Sequence, residues 1–201
     1  MSKQIVNPKD VWRLCVDCSR SIYGTTKPTD LYANRVAHLL FGTAAKESNS
    51  FRASRQYDID PKSARGIDWH TNLGGFGLWQ LEWVSVAETI KRLSSLSNHH
   101  QLRARCAEWL FLNEDAEPEW YARVGKWAML HNLCGWHRAA CLFARLHYIW
   151  EPSPVPVTVG EHAAYWKKYY NTSAGKGTPQ EYVRAWAENM EAIKGQIPGG
   201  T

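Results

Sequence analysis

Helix-start signals recur along this chain and decide its class. The sharpest is Thr178-Pro179-Gln180-Glu181, a threonine N-cap, a proline at the first helical position and a glutamate three residues after the cap. Asn7-Pro8 is a second cap-and-proline pair and opens a helix through about Ile22. Thr29 caps the next run, which stays apolar until Lys46-Glu47-Ser48. SVAETIKRLSSL and NHHQLRARCAEWLFL read as helices, the latter capped by Ser97. Pro118 opens a helix that ends near Leu133, and Gly135 separates it from WHRAACLFARLHYIW. EHAAYWKKYY and TPQEYVRAWAENMEAI are the last two helices, joined by the glycine turn NTSAGKG. EPSPVPVTVG is a crossover, because proline lacks the amide that a helix interior needs. The stretch SFRASRQYDIDPKSARGIDWHTNLGGFG has no helical period and many turn residues. It predicts an irregular loop or a small β-hairpin. The expected class is mainly α.

A chain of 201 residues with 44% hydrophobic residues can bury a core of its own. The proline crossover is the best candidate boundary, yet the piece after it is too short to fold alone. The expectation is one domain over 1–201, with a core at 29–150 and a C-terminal helical extension at 151–195. No apolar run approaches the ~20 residues that cross a bilayer, and MSKQIVNPKDVW lacks the apolar segment of a secretory signal. Neither a membrane span nor a signal peptide is expected. The net charge of +5 and pI near 9.0 suit anionic partners such as nucleic acid, lipid headgroups or cell-wall polymers. The positive charge is dispersed, with no Lys/Arg run, so no specific nucleic acid is expected.

Five cysteines include one Cys15-Val-Asp-Cys18 pair, and a structural zinc site would need two more ligands. Among the eight histidines, His99-His100 and the pair His131 and His137 lack metal-ligand spacing. GGFG precedes a helix without the Lys-Ser/Thr of a phosphate loop. Buried reduced thiols, no metal and no cofactor are expected. Eleven tryptophans supply much of a core, and a few could line a groove, since indole faces suit sugar rings.

Val36, Leu40, Thr43 and Glu47 fall at i, i+4, i+7 and i+11, which puts Glu47 on the buried stripe of its helix. It also sits at the C-terminal end, where the helix dipole is negative. Apolar surroundings and dipole both disfavour the anion and predict a raised pKa. A raised-pKa carboxylic acid is what glycoside cleavage needs to protonate the leaving oxygen. The alternative is a helix end that frays into water.

Glu47-Ser48, a loop, then Gly77-Leu78-Trp79-Gln80 and a helix resembles the pattern of lytic transglycosylases and goose-type lysozymes over residues 30–92. In that family the E-S pair ends the catalytic helix and the G-L-x-Q segment forms the cleft wall. Tyr170, Asn171 and Gly175 resemble the family's A-Y-N-x-G element, with the glycine two residues later than in the pattern. ARLHYIWEPSPVP and AAYWKKYYNTSAGKG are similar to segments found beside lysozyme-like domains in bacteriophage proteins.

The resemblance implies a lysozyme-like helical fold and Glu47 as the catalytic acid. Ser48, Gly77, Trp79, Gln80 and Tyr170 would be substrate-binding. Glu47 would protonate the glycosidic oxygen and then act as base on the sugar's 6-hydroxyl, leaving a 1,6-anhydro end. A hydrolase would need a second carboxylate, for which Asp58, Asp60 and Asp68 are candidates in the irregular loop. The implied partners are peptidoglycan glycan strands and other phage virion proteins. The implied setting is synthesis in the host cytoplasm, then virion association or release to the cell wall. A non-catalytic tail or baseplate component with the same fold is the alternative.

Overall fold

The structure is a computed structural model and describes residues 6–24, 26–52, 75, 77–95, 100–110, 135–173 and 175–194. Seven α-helices lie among these residues, and no strand does. The candidate hairpin, the helix opened by Pro118 and the Ser97 cap lie outside the described residues.

The first helix, α1 (Pro8–Ser21), starts at the Asn7 cap, whose side chain accepts from the Lys9 amide at 3.0 Å. The second, α2 (Asp30–Glu47), starts at Thr29, whose hydroxyl accepts from Tyr32 N at 3.3 Å. Every residue of α2 from Leu39 to Ala45 is buried. A helix apolar on all sides has to lie inside the molecule, and α2 is surrounded by α1, α5 (His137–Ile149), α6 (Val159–Trp166) and α7 (Pro179–Ile193). The other two helices are α3 (Trp83–Ser95) and α4 (His100–Trp109).

Two buried or half-buried arginines close the C-terminal end of α1. Arg145 Nε donates to Ile22 O at 3.0 Å, and an Arg105 Nη donates to Tyr23 O at 2.7 Å. Cations at this end complement the helix dipole and satisfy carbonyls that have no partner within the helix. Between α1 and α5 the free thiols of Cys15, Cys18 and Cys141 are fully buried. Burial pushes all three thiols up, and pushes Cys106 up to about 12. Thiols this far from ionising behave as small apolar side chains.

The crossover is two residues shorter than proline content suggests. Thr158 and Glu161 form a capping box, so α6 begins at Val159. The box at Thr178 and Glu181 starts α7 as read from sequence. Residues after the crossover are part of the central packing: Trp166 and Tyr182 are fully buried, and α6 and α7 pack against α2. One turn of π-helix, Lys167–Asn171, continues α6. No helix among the described residues is long and apolar enough to cross a membrane.

Candidate active site

Behind Glu47 the chain makes a left-handed turn without a glycine. Asn49, Ser50 and Phe51 have φ of 52°, 57° and 61°. Each such residue costs about 1–2 kcal/mol, so the turn persists only because its surroundings fix it. Ser48 Oγ donates to Ala44 O at 2.5 Å and accepts from Phe51 N at 2.9 Å. Ser50 N donates to Ala45 O at 2.7 Å. Phe51 is fully buried, with its ring 5.4 Å from that of Phe41, and its burial supplies about 2–3 kcal/mol in return.

A second strained turn carries the GLWQ segment. Gly77 has φ 74° and Gln80 has φ 47°. Gln80 folds back on the turn, with its backbone N donating to Gly77 O at 3.1 Å and its side-chain Nε2 at 2.7 Å. A Cβ at Gly75 would collide with the Gln80 main chain, so the approach requires glycine. Trp79 anchors the turn: its indole is fully buried and donates to Leu40 O at 2.9 Å. From above, Tyr170 donates its hydroxyl to Trp79 O at 2.7 Å. The π-turn makes that contact available, because its extra residue shifts Tyr169 and Tyr170 relative to a regular helix. The π-turn is itself held by Lys167, which donates to Asn171 Oδ1 at 2.8 Å and to Gly175 O at 2.7 Å, and by His147 Nε2, 2.7 Å from Tyr169 O.

Glu47 is half-buried at the last position of α2. Its Oε1 accepts from Trp166 Nε1 at 2.9 Å. Burial is the largest influence and raises the pKa of the carboxyl. The Trp166 hydrogen bond, Lys46 and Lys167 oppose it, and the nearby Glu82 reinforces it. The net shift is upward. The shift is towards the neutral acid, while Trp166, Lys46 and Lys167 stabilise the anion. Tyr170 lies within electrostatic reach of both Glu47 and Glu82, and burial holds its hydroxyl in the neutral form.

Tyr170 lies within electrostatic reach of Glu47, and its hydroxyl holds the carbonyl of Trp79, the residue before Gln80. Ser48 and Trp79 are fully buried, with their polar atoms spent on the main chain, and present no surface to a ligand. Gly77 is buried too and serves the turn. Asp58, Asp60 and Asp68 lie outside the described residues.

Sequence reasoning missed Trp166, Lys46, Lys167 and Glu82. Glu82 had a readable signal, a carboxylate two residues after Gln80. Trp166 had none, since it meets Glu47 across 119 residues. No cluster of His, Cys, Asp or Glu suited to a metal occurs among the described residues. In comparisons of sequence and of fold, the chain matches no family model, no curated protein and no solved structure.

Proposed function

We propose that this protein cleaves the glycan strand of peptidoglycan, as a lytic transglycosylase or muramidase, with Glu47 as the proton donor. The observation that carries the reading is the state of Glu47. It is a half-buried carboxyl whose pKa burial raises, fixed by a hydrogen bond and followed directly by a strained turn. Strain of this kind is maintained where a site requires it. The strained turns lie at the two segments, Glu47-Ser48 and GLWQ, that resemble the transglycosylase pattern.

In this reading Glu47 gives its proton to the glycosidic oxygen after N-acetylmuramic acid as the C–O bond breaks. The resulting carboxylate then takes the proton of the sugar's 6-hydroxyl, whose oxygen closes on the anomeric carbon. One glutamate serves as acid and then as base, and the substrate supplies the nucleophile. Gln80 and Tyr170 border the reacting sugar, while Ser48, Gly77 and Trp79 hold the backbone that carries them. The excess of positive charge suits an anionic polymer. A phage particle that opens the wall locally, or a late lysis enzyme, is the setting in which such a chain would act.

The test is Glu47→Gln on purified cell wall. The amide keeps the shape and the acceptor for Trp166 but has no proton to give, and general acid catalysis contributes ~10²–10⁴-fold. Clearing should fall by that factor. Clearing at the wild-type rate would overturn the reading.

A further inference from the structure

Trp166 is the contact that ties Glu47 to the C-terminal helices. Its indole is fully buried, with Nε1 2.9 Å from Glu47 Oε1. The ring is held on several sides. Tyr182 packs against it at a tilt of 36°, 5.5 Å between centroids, and Lys46 Nζ lies 5.9 Å from the ring centroid. At Gly177 a Cβ would stand 2.7 Å from Trp166 Cη2, so the absence of a side chain there is what admits the indole. Lys46 is fixed in turn by Glu181, at 3.5 Å, the capping-box glutamate of α7. The π-turn starts at the next residue.

An indole N–H donates and cannot accept. The oxygen facing it accepts in both protonation states and cannot carry a proton directed at the same hydrogen. Glu47 Oε2 has no hydrogen-bond partner among the described residues. We propose that Trp166 is a positioning residue that gives the two oxygens of Glu47 separate roles, holding Oε1 as a permanent acceptor and leaving the transferable proton on Oε2. The proposal deepens, and rests on, the reading of Glu47 as a general acid.

The step balances on one residue. The Oε2–H bond breaks as the proton joins the glycosidic oxygen, and the electron pair of the C–O bond goes to that oxygen. The negative charge left on the carboxyl strengthens the N–H···Oε1 bond, so the interaction is worth more as the reaction proceeds. Oε2 then takes the proton of the 6-hydroxyl and the starting state returns.

The experiment is an NMR titration of the full chain labelled with ¹³C-glutamate and ¹⁵N-tryptophan, with Glu47→Gln assigning the carboxyl resonance. In the wild type, the Trp166 indole signal should shift with the same midpoint as the Glu47 carboxyl. In Trp166→Phe the charged form loses its donor, and the Glu47 midpoint should rise by about one to two pH units. The alkaline limb of cell-wall clearing should move up with it, with kcat lowered and KM retained. A flat indole signal across the Glu47 midpoint, or an unmoved midpoint in Trp166→Phe, overturns the proposal. Should Trp166→Phe fail to fold, the wild-type titration still decides. Coupled titration with a Glu47→Gln variant that clears wall at full rate supports the hold of Trp166 on Glu47 and removes the enzymatic reading. A flat indole signal with an inactive Glu47→Gln does the reverse.

Discussion

One turn of α6 separates two polar layers that the fold treats differently. In the layer of Trp166, partners are assigned. Trp166 meets Glu47, Lys46 meets Glu181, Tyr182 donates to Leu39 O at 3.0 Å, and Thr43 bonds Tyr148 at 2.8 Å. In the layer of His162, whose Nε2 lies 2.9 Å from Pro156 O, several other polar atoms are enclosed without a hydrogen-bond partner among the described residues. Arg35 Nε, His38 Nδ1, His162 Nδ1 and Trp186 Nε1 are buried and make no hydrogen bond among the described residues. The rings there pack instead, His38 lying 4.7 Å from Trp12 and 5.6 Å from Trp186 between centroids. Both layers disfavour charge, but with opposite consequences. Burial raises the pKa of Glu47, towards the neutral acid. Burial, aided by repulsion from His162, lowers His38 from 6.5 to about 4 and keeps it neutral. A polar group held from several directions is suited to chemistry, whereas one enclosed by rings alone contributes packing.

The largest expected effect separates the layers by activity. Glu47→Gln should lose ~10²–10⁴-fold in cell-wall clearing, while His38→Phe, which keeps a ring among its aromatic neighbours, should clear at close to the wild-type rate. Equal losses in both variants would break the distinction.

The next effect separates them by pH. An unfolded chain protonates His38 near 6.5, but the folded chain does so only near 4, so the unfolded state binds more protons in between. The stability that neutral His38 contributes is present above 6.5 and is lost as pH falls towards 4, by about 3 kcal/mol. His162, lowered for the same main reason, acts in the same direction. Glu47 has the opposite sign. Its folded pKa lies above the unfolded value, so it weakens the fold as pH rises through its own titration. Urea unfolding at pH 7 and pH 4 should show a loss on acidification that His38→Phe reduces. At pH 7 Glu47→Gln should be no less stable than the wild type. An unchanged acid loss in His38→Phe would place its cause elsewhere.

A smaller effect tests the packing that joins the layers. Gly42 faces Tyr182, and a Cβ there would overlap the phenol ring. Gly42→Ala should cost about 1–3 kcal/mol, read as a lowered Tm, because a fully buried ring has little room to move. Unchanged stability would mean that α2 and α7 can separate without penalty.

Much of the helical framework was legible because its signals are local. Asn7-Pro8, Thr29 and Thr178-Pro179-Gln180-Glu181 each begin a helix where the cap chemistry says they should. Thr158 and Glu161 carry the same signature and sharpen the start of α6, although the prolines before them dominate a reading by composition. The spacing of Val36, Leu40, Thr43 and Glu47 gave the buried stripe of α2, with Glu47 half-buried at its end. What was not legible depends on distant contacts. Asn49-Ser50-Phe51 has no glycine to announce a left-handed turn, and it is fixed by Ser48 and the pocket around Phe51. The π-turn is invisible in KKYYN, which fits a regular helix equally well. Trp79 reads as a groove residue beside Gln80 until the Leu40 carbonyl, 39 residues away, claims its N–H.

Mass spectrometry of the fragments released from purified peptidoglycan by the wild-type protein tests the central claim most directly. In the proposed mechanism one glutamate, acid on Oε2 and then base, uses the sugar's own 6-hydroxyl. The account therefore predicts muropeptides ending in 1,6-anhydro-N-acetylmuramic acid, absent from the Glu47→Gln digest. Reducing ends would instead require a water-directing second carboxylate, with Glu82 the described candidate near Glu47, and would contradict the single-acid mechanism. Glycan strands left intact by the wild-type protein would contradict the function itself.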